Sequence, residues 1–209
     1  YRWMAHGMEM ADSFVFNPHK WMFTNFDCSL YFVRDAELLI RSFEILPEYL
    51  KTSSRGAVND YRDWGIPLGR RFRALKLWFV IRSYGLEGIR ERMRHHIALG
   101  EYFAQEVALI DRVEPVTGPI LNFCTFRLHP EGMNDPLEID RLNERFLSEL
   151  NRRGRVFLSH TRVGGLHTTR MVIGQTYAEK EDVDRALDEI RQVAGEVIRT
   201  HSPEKGSGP

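Results

Sequence analysis

Cysteine is scarce, with two residues in 209, Cys28 and Cys124. They lack the paired spacing of a zinc site and are too few for the disulfide scaffold of a small secreted domain, a usage that fits a reducing cytoplasm. Net charge is missing too, since 29 Lys plus Arg balance 29 Asp plus Glu. Nothing therefore draws the chain toward nucleic acid or an anionic membrane, and a small-molecule substrate suits it better. Long apolar runs are also absent. The strongest, Leu75 to Ile81, is interrupted by Lys76 and falls far short of the roughly 20 residues that cross a bilayer. No signal-like segment opens the chain, which reads as soluble. What remains is a polypeptide 43% hydrophobic and 11% aromatic, ample for a packed core.

The chain begins at Tyr1 and runs at once into a crowded motif, the mark of a fragment. Ser13 to Asn17 and Cys28 to Val33 are rich in aromatic and β-branched residues and predict two strands around a functional loop, Pro18 to Asp27. From Phe43 to Asn59 the apolar periodicity fails, which predicts a long mobile loop. Pro67 can open a helix carrying Leu68, Phe72, Leu75 and Phe79 and stopping near Tyr84 at Gly85, and a second helix follows over Glu87 to Leu109. Beyond Asp111 the pattern predicts strands over 113–117 and 120–128, a helix over 136–151, strands over 155–159 and 167–173, and a helix over 179–199 capped by Thr176 with Glu179. That order describes a compact α+β unit. The tail, 201–209, is too polar to order itself.

Asn17-Pro18-His19-Lys20-Trp21 places a lysine beside a histidine, on a turn set by proline, at the mouth of the strand pair. A lysine held there and desolvated would fall from a pKa of about 10.4 toward neutrality, freeing the lone pair that condenses with an aldehyde. Read alone, the pentapeptide favours a solvated surface lysine, one among many, by roughly three to one. Arg62, Arg70, Arg71 and Arg73 read as an interface or a solvated face rather than a nucleic-acid patch. His95 and His96, adjacent on a helix, point different ways and cannot chelate one metal.

Three ordered blocks decide the matter. Asp12-Ser13-Phe14-Val15-Phe16-Asn17-Pro18-His19-Lys20-Trp21 with Asn25-Phe26-Asp27-Cys28-Ser29, then Pro47-Glu48-Tyr49-Leu50-Lys51, then Asp60-Tyr61-Arg62-Asp63-Trp64 through Ile66 to Arg73 together resemble the aromatic-L-amino-acid decarboxylase family of group II pyridoxal-phosphate (PLP) enzymes. The resemblance implies that Lys20 holds PLP as a Schiff base and that His19 and Asn17 approach its phosphate. It implies that Tyr49, on a mobile loop, protonates the substrate α-carbon after carbon dioxide leaves. Relatives with phenylalanine at that position resemble aldehyde synthases. Gly69 matches a substrate-binding position where a missing side chain leaves room for a larger ring.

The fold implied is α/β, fold type I, present as the end of a large PLP-binding domain plus an α+β C-terminal small domain. The expected divisions are 1–45 for the large-domain end with the cofactor lysine, 46–66 for the active-site loop, 67–110 for bridging helices, 111–200 for the small domain and 201–209 for a disordered tail. The family's pyridinium-binding aspartate, ring-stacking histidine and other phosphate ligands would precede residue 1, so the chain by itself is expected to be inactive. A cytoplasmic homodimer that decarboxylates a small-molecule substrate, an L-amino acid and by the resemblance an aromatic one, to its amine and carbon dioxide, with no metal, membrane or nucleic acid, completes the expectation. The alternatives are an oxidative aldehyde synthase, a decarboxylase of another amino acid, and a non-catalytic α+β dimerisation fragment.

Overall fold

The computed structural model describes residues 1–45 and 59–201, and the chain divides into two compact units, 1–89 and 90–209. In the first, β1 (Ser13–Phe16) pairs antiparallel with β2 (Leu30–Val33), Phe16 opposite Leu30, so that residues 17–29 form the connecting loop. A short helix, α1 (Pro18–Trp21), opens that loop. The sequence left Ala36–Phe43 unassigned, yet it forms α2, capped by Asp35, whose carboxylate accepts the Leu38 N–H at 2.9 Å.

The long helix α3 (Arg73–Val107) starts at Arg73 and not at Pro67. Ile66, Leu68 and Phe72 are 89%, 67% and 75% exposed, so the apolar repeat that predicted a helix there has no core to face. At Gly85 the helix is interrupted by φ 67, ψ 173, a conformation that costs glycine little and a side chain much, as the sequence suggested.

The second unit is a four-stranded antiparallel sheet in the order β3-β4-β6-β5, formed by β3 (Val113–Ile120), β4 (Phe123–Leu128), β5 (Ser159–Val163) and β6 (Leu166–Val172) with α4 (Pro136–Arg152) and α5 (Lys180–Arg199). The expected strand at 155–159 is displaced to β5. Asn151 brackets Leu158, accepting its N–H and donating to its carbonyl, both at 2.9 Å, so that backbone is satisfied without a ladder. Gly164 and Gly165, both at positive φ, then form a two-residue hairpin turn between Val163 and Leu166. The α5 cap also moves: Glu179 is the N-cap, reciprocally bonded with Asp182, in place of Thr176.

On α4, Ile139, Leu142, Phe146, Leu147 and Leu150 are buried at helical spacing. Phe146 meets Phe126 of β4, which in turn meets Phe103 of α3, with ring centroids 6.3 and 5.8 Å apart. Polar residues are buried with this core, among them Asn143. Asn143, fully buried, accepts the Leu128 N–H at 2.7 Å and donates to the carbonyls of Leu128 and Ile139 at 2.9 and 2.8 Å, tying α4 to β4. Asn143→Ala would strand two buried backbone groups of Leu128 and should cost roughly 2–4 kcal/mol in urea unfolding; a loss below about 0.5 kcal/mol would show that β4 does not depend on this bond.

On β6, His167 is buried and its ring stacks on His160 of β5 at 4.7 Å. Burial first, then the neighbouring His160, holds its pKa below the ordinary histidine value, against Glu144 and Asp140, which act the other way. The folded state therefore binds fewer protons here than the unfolded chain, so this contribution to stability is present above about pH 6.5 and is lost as the pH falls below it. The urea midpoint of wild type should drop between pH 7.5 and 5.5 by more than that of His167→Phe; parallel pH profiles would disprove the assignment.

Candidate active site

The lysine turn is built from backbone bonds. Pro18 supplies a fixed φ at the first helical position, the Lys20 N–H donates to the Asn17 carbonyl at 2.9 Å, and the Met22 and Thr24 N–H groups both donate to the Pro18 carbonyl at 3.2 Å. Asn17, His19 and Lys20 are thereby brought onto one turn, as the sequence implied. The Asn17 side-chain oxygen accepts the Ser29 hydroxyl at 2.6 Å, which fixes the amide so that its nitrogen is the end left to donate. His19 lies between the two polypeptide arms of the loop. Its backbone N–H donates to the Cys28 carbonyl at 3.4 Å, and its ring Nδ1 lies 2.7 Å from that carbonyl oxygen and 3.0 Å from the Cys28 nitrogen. Phe26 meets the imidazole edge-on at 4.9 Å and is itself 84% exposed.

The far end of the loop is anchored to α3. Arg73 pairs with Asp27 through two nitrogens at 2.9 Å, and Lys76 lies 3.9 Å from the same carboxylate. The Arg73 hydrogen bond holds the Asp27 carboxyl below the usual carboxylate range, and Asp27 in turn raises Arg73. Cys28, 3% exposed, directs its thiol at the Arg73 carbonyl, 3.9 Å away. The arginine cluster is thus not simply a solvated face. Arg62 pairs with Asp60 and Asp63 at 3.0 Å each, and Arg70 Nε donates to the Tyr61 carbonyl at 3.0 Å.

Lys20 is exposed, contrary to the expectation of a dry amine. The physical reason is local: a four-residue helix beside a two-stranded sheet offers too little surface to enclose it, and Phe14, Val15, Phe16, Tyr31 and Phe32 on those two strands are themselves exposed. Gly69 lies in the exposed segment before α3, and a Cβ added there would meet nothing within 4 Å. Tyr49, with the rest of its block, lies outside the described residues. Asp27 and Arg73 escaped the sequence reading as site residues, although both fall inside the quoted blocks; the available signal was a lone carboxylate in one block and an arginine ending another. Among the described residues no group of three or more His, Cys, Asp or Glu is placed to hold a metal, and no helix is long and apolar enough to cross a membrane.

Comparison with known proteins gives this geometry a family. The model described as the pyridoxal-dependent decarboxylase conserved domain matches residues 1–129. Tyrosine decarboxylase 3 of Petroselinum crispum is 42% identical over 203 residues, covering 95% of this chain and 39% of its own length; the chain thus spans about two fifths of that relative. Among solved structures, Oryza sativa TDC with PLP and tryptamine superposes with a TM-score of 0.86 at 34% identity, over 92% of this chain and 40% of that one. Rhodiola rosea 4-hydroxyphenylacetaldehyde synthase superposes with a TM-score of 0.81 at 30% identity, over 93% and 39%. The turn that carries Lys20, the loop that returns through Asp27 and Cys28, and the start of α3 all lie within the matched residues, and the chain belongs to the pyridoxal-dependent decarboxylase family.

Proposed function

We propose that the protein containing this chain decarboxylates an aromatic L-amino acid to its amine, with PLP carried on Lys20. The observation that carries the reading is the single turn on which an amine (Lys20), an imidazole (His19) and an amide (Asn17) are assembled by backbone bonds. The donor set fits the cofactor. One primary amine matches an aldehyde, and the Asn17 amide and an imidazole N–H match a phosphate dianion.

When bound, PLP supplies the electron sink into which the bond to the departing α-carboxylate can drain. Lys20 Nζ would hold the cofactor through its aldehyde carbon, and its amine, when free, would serve as a base and proton carrier. His19 and Asn17 hold the phosphate. Tyr49, a phenol protonated at neutral pH, keeps a proton on its hydroxyl for the substrate α-carbon. Gly69 leaves space in which an aromatic side chain fits. The reading includes a homodimer in the cytoplasm, consistent with two cysteines that are both free thiols.

The similarity to an aldehyde synthase supports a second reading, oxidative conversion to an aldehyde with peroxide formed from oxygen; Tyr49 favours the amine. Two experiments test the proposal. Borohydride reduction of the PLP-loaded protein should leave one adduct on Lys20 by peptide mass spectrometry and none in Lys20→Ala; an adduct on a different lysine would sink the assignment. In the complete enzyme, Tyr49→Phe should divert product from amine toward aldehyde and hydrogen peroxide, and undiminished amine output would remove Tyr49 from its role.

A further inference from the structure

Arg73 grips the lysine loop at two consecutive residues. Its Nε and Nη2 both lie 2.9 Å from Asp27 Oδ2, and its carbonyl oxygen lies 3.9 Å from the Cys28 thiol. Lys76, one turn along α3, adds its ammonium 3.9 Å from Asp27 Oδ1. The carboxylate therefore sits beside the first turn of a helix, where the backbone dipole also favours negative charge. A single exposed ion pair contributes little on its own. Here two cations and a thiol contact act on adjacent residues and hold the peptide between Asp27 and Cys28.

That peptide's N–H is the group that meets His19. Nδ1 lies between two Cys28 backbone groups, an N–H at 3.0 Å that can only donate and a carbonyl at 2.7 Å that can only accept, and in a neutral imidazole it can serve one of them. The carbonyl has a second donor in the His19 N–H at 3.4 Å. When Nδ1 accepts from the Cys28 N–H, neither backbone group is left without a partner, and the ring proton falls on Nε2. With the proton on Nδ1, the Cys28 N–H would face a donor. The Nε2–H form sets the Nδ1 lone pair against the Cys28 oxygen at 2.7 Å. That oxygen keeps a backbone donor, whereas the orphaned N–H of the other form keeps no acceptor, which favours the first arrangement.

We infer that Asp27 and Arg73 are positioning residues for His19: by clamping the Asp27–Cys28 peptide they hold the imidazole as its Nε2–H tautomer, so that the ring presents a donor to a phosphate. This rests on the reading of Lys20 as the cofactor lysine and adds the device that keeps its neighbour in the useful form. The other tautomer would present a lone pair to an anion and repel it. A clamp that served folding alone would tolerate either.

The test uses the full chain with histidine labelled in nitrogen-15, without cofactor, because two-bond proton–nitrogen spectra read the tautomer directly. Wild-type His19 should be Nε2–H. Arg73→Gln and Asp27→Asn should give a mixture with Nδ1–H, and Arg73→Lys, which keeps a cation at the first turn, should recover part of the wild-type signature. In parallel the Kd for PLP should rise roughly tenfold in the two neutralising variants, the order expected for one charge-assisted hydrogen bond. Finding wild-type His19 as Nδ1–H, or an unchanged tautomer in both variants, overturns the inference. Should Arg73→Gln fail to fold, Asp27→Asn, which preserves shape, carries the same reading. Borohydride trapping separates this inference from the function beneath it: a tautomer that responds as stated with no adduct on Lys20 removes the cofactor assignment alone, whereas an adduct on Lys20 with an unresponsive tautomer removes the positioning role alone.

Discussion

The contact on which the site depends is the one between the first turn of α3 and residues 27–28. The loop from Asn17 to Ser29 contains one helix of four residues and departs from a sheet of two strands, so it has little core of its own to fix it. Order has to come from polar bonds. They form a chain: Arg73 and Lys76 on Asp27, the Arg73 carbonyl on Cys28, the Cys28 backbone on His19, and the Asn17 carbonyl on the Lys20 N–H. Charge-assisted bonds with paired donors hold direction as well as distance. Direction is what a turn presenting three different functional groups requires.

The two units differ in kind. The second buries Phe103, Phe126, Phe146, Leu128, Leu142, Leu150 and Ile190 to 0% exposure and satisfies its internal backbone through Asn143 and Asn151, the habits of a domain that holds itself together. The first exposes Trp3, Met10, Val15 and Phe32 at 60%, 74%, 60% and 54%. Surface apolar residues are ordinary singly, but aromatic side chains bare along both strands of a hairpin are more than scattered single residues. A chain spanning 39% of a relative's length is consistent with that difference.

Helices with a core to face were legible in the sequence, and those without one were not. The apolar spacing on α4 and α5 survives because the sheet lies under it, and Gly85 announces the interruption of α3 by being the residue that best tolerates positive φ. The same spacing rule failed from Leu68 to Phe72, where nothing apolar lies opposite. Strand edges slipped for another reason: Asn151 satisfies Leu158 from the side, a tertiary bond that no local pattern signals. That Asn17, His19 and Lys20 share one turn was legible because proline and short-range backbone bonding set it. Asp27 and Arg73, 46 residues apart, became a pair only once the chain was folded.

The exposure of Lys20 divides the work of the site. Geometry is local, since a turn of backbone bonds suffices to set an amine beside an imidazole and an amide. Dryness is not local, because shifting an ammonium toward its neutral form requires apolar surface on most sides of it, and a four-residue helix has only its own neighbours to offer. On the proposed reading of Lys20, apolar surroundings for its amine have to come from beyond its own short helix. On that reading preorganisation and desolvation, usually credited together to an active site, have separate sources. The polar clamp on Asp27 is compatible with this division, since a carboxylate bonded by Arg73 and backed by Lys76 keeps its charge satisfied whether the loop around it is open or enclosed.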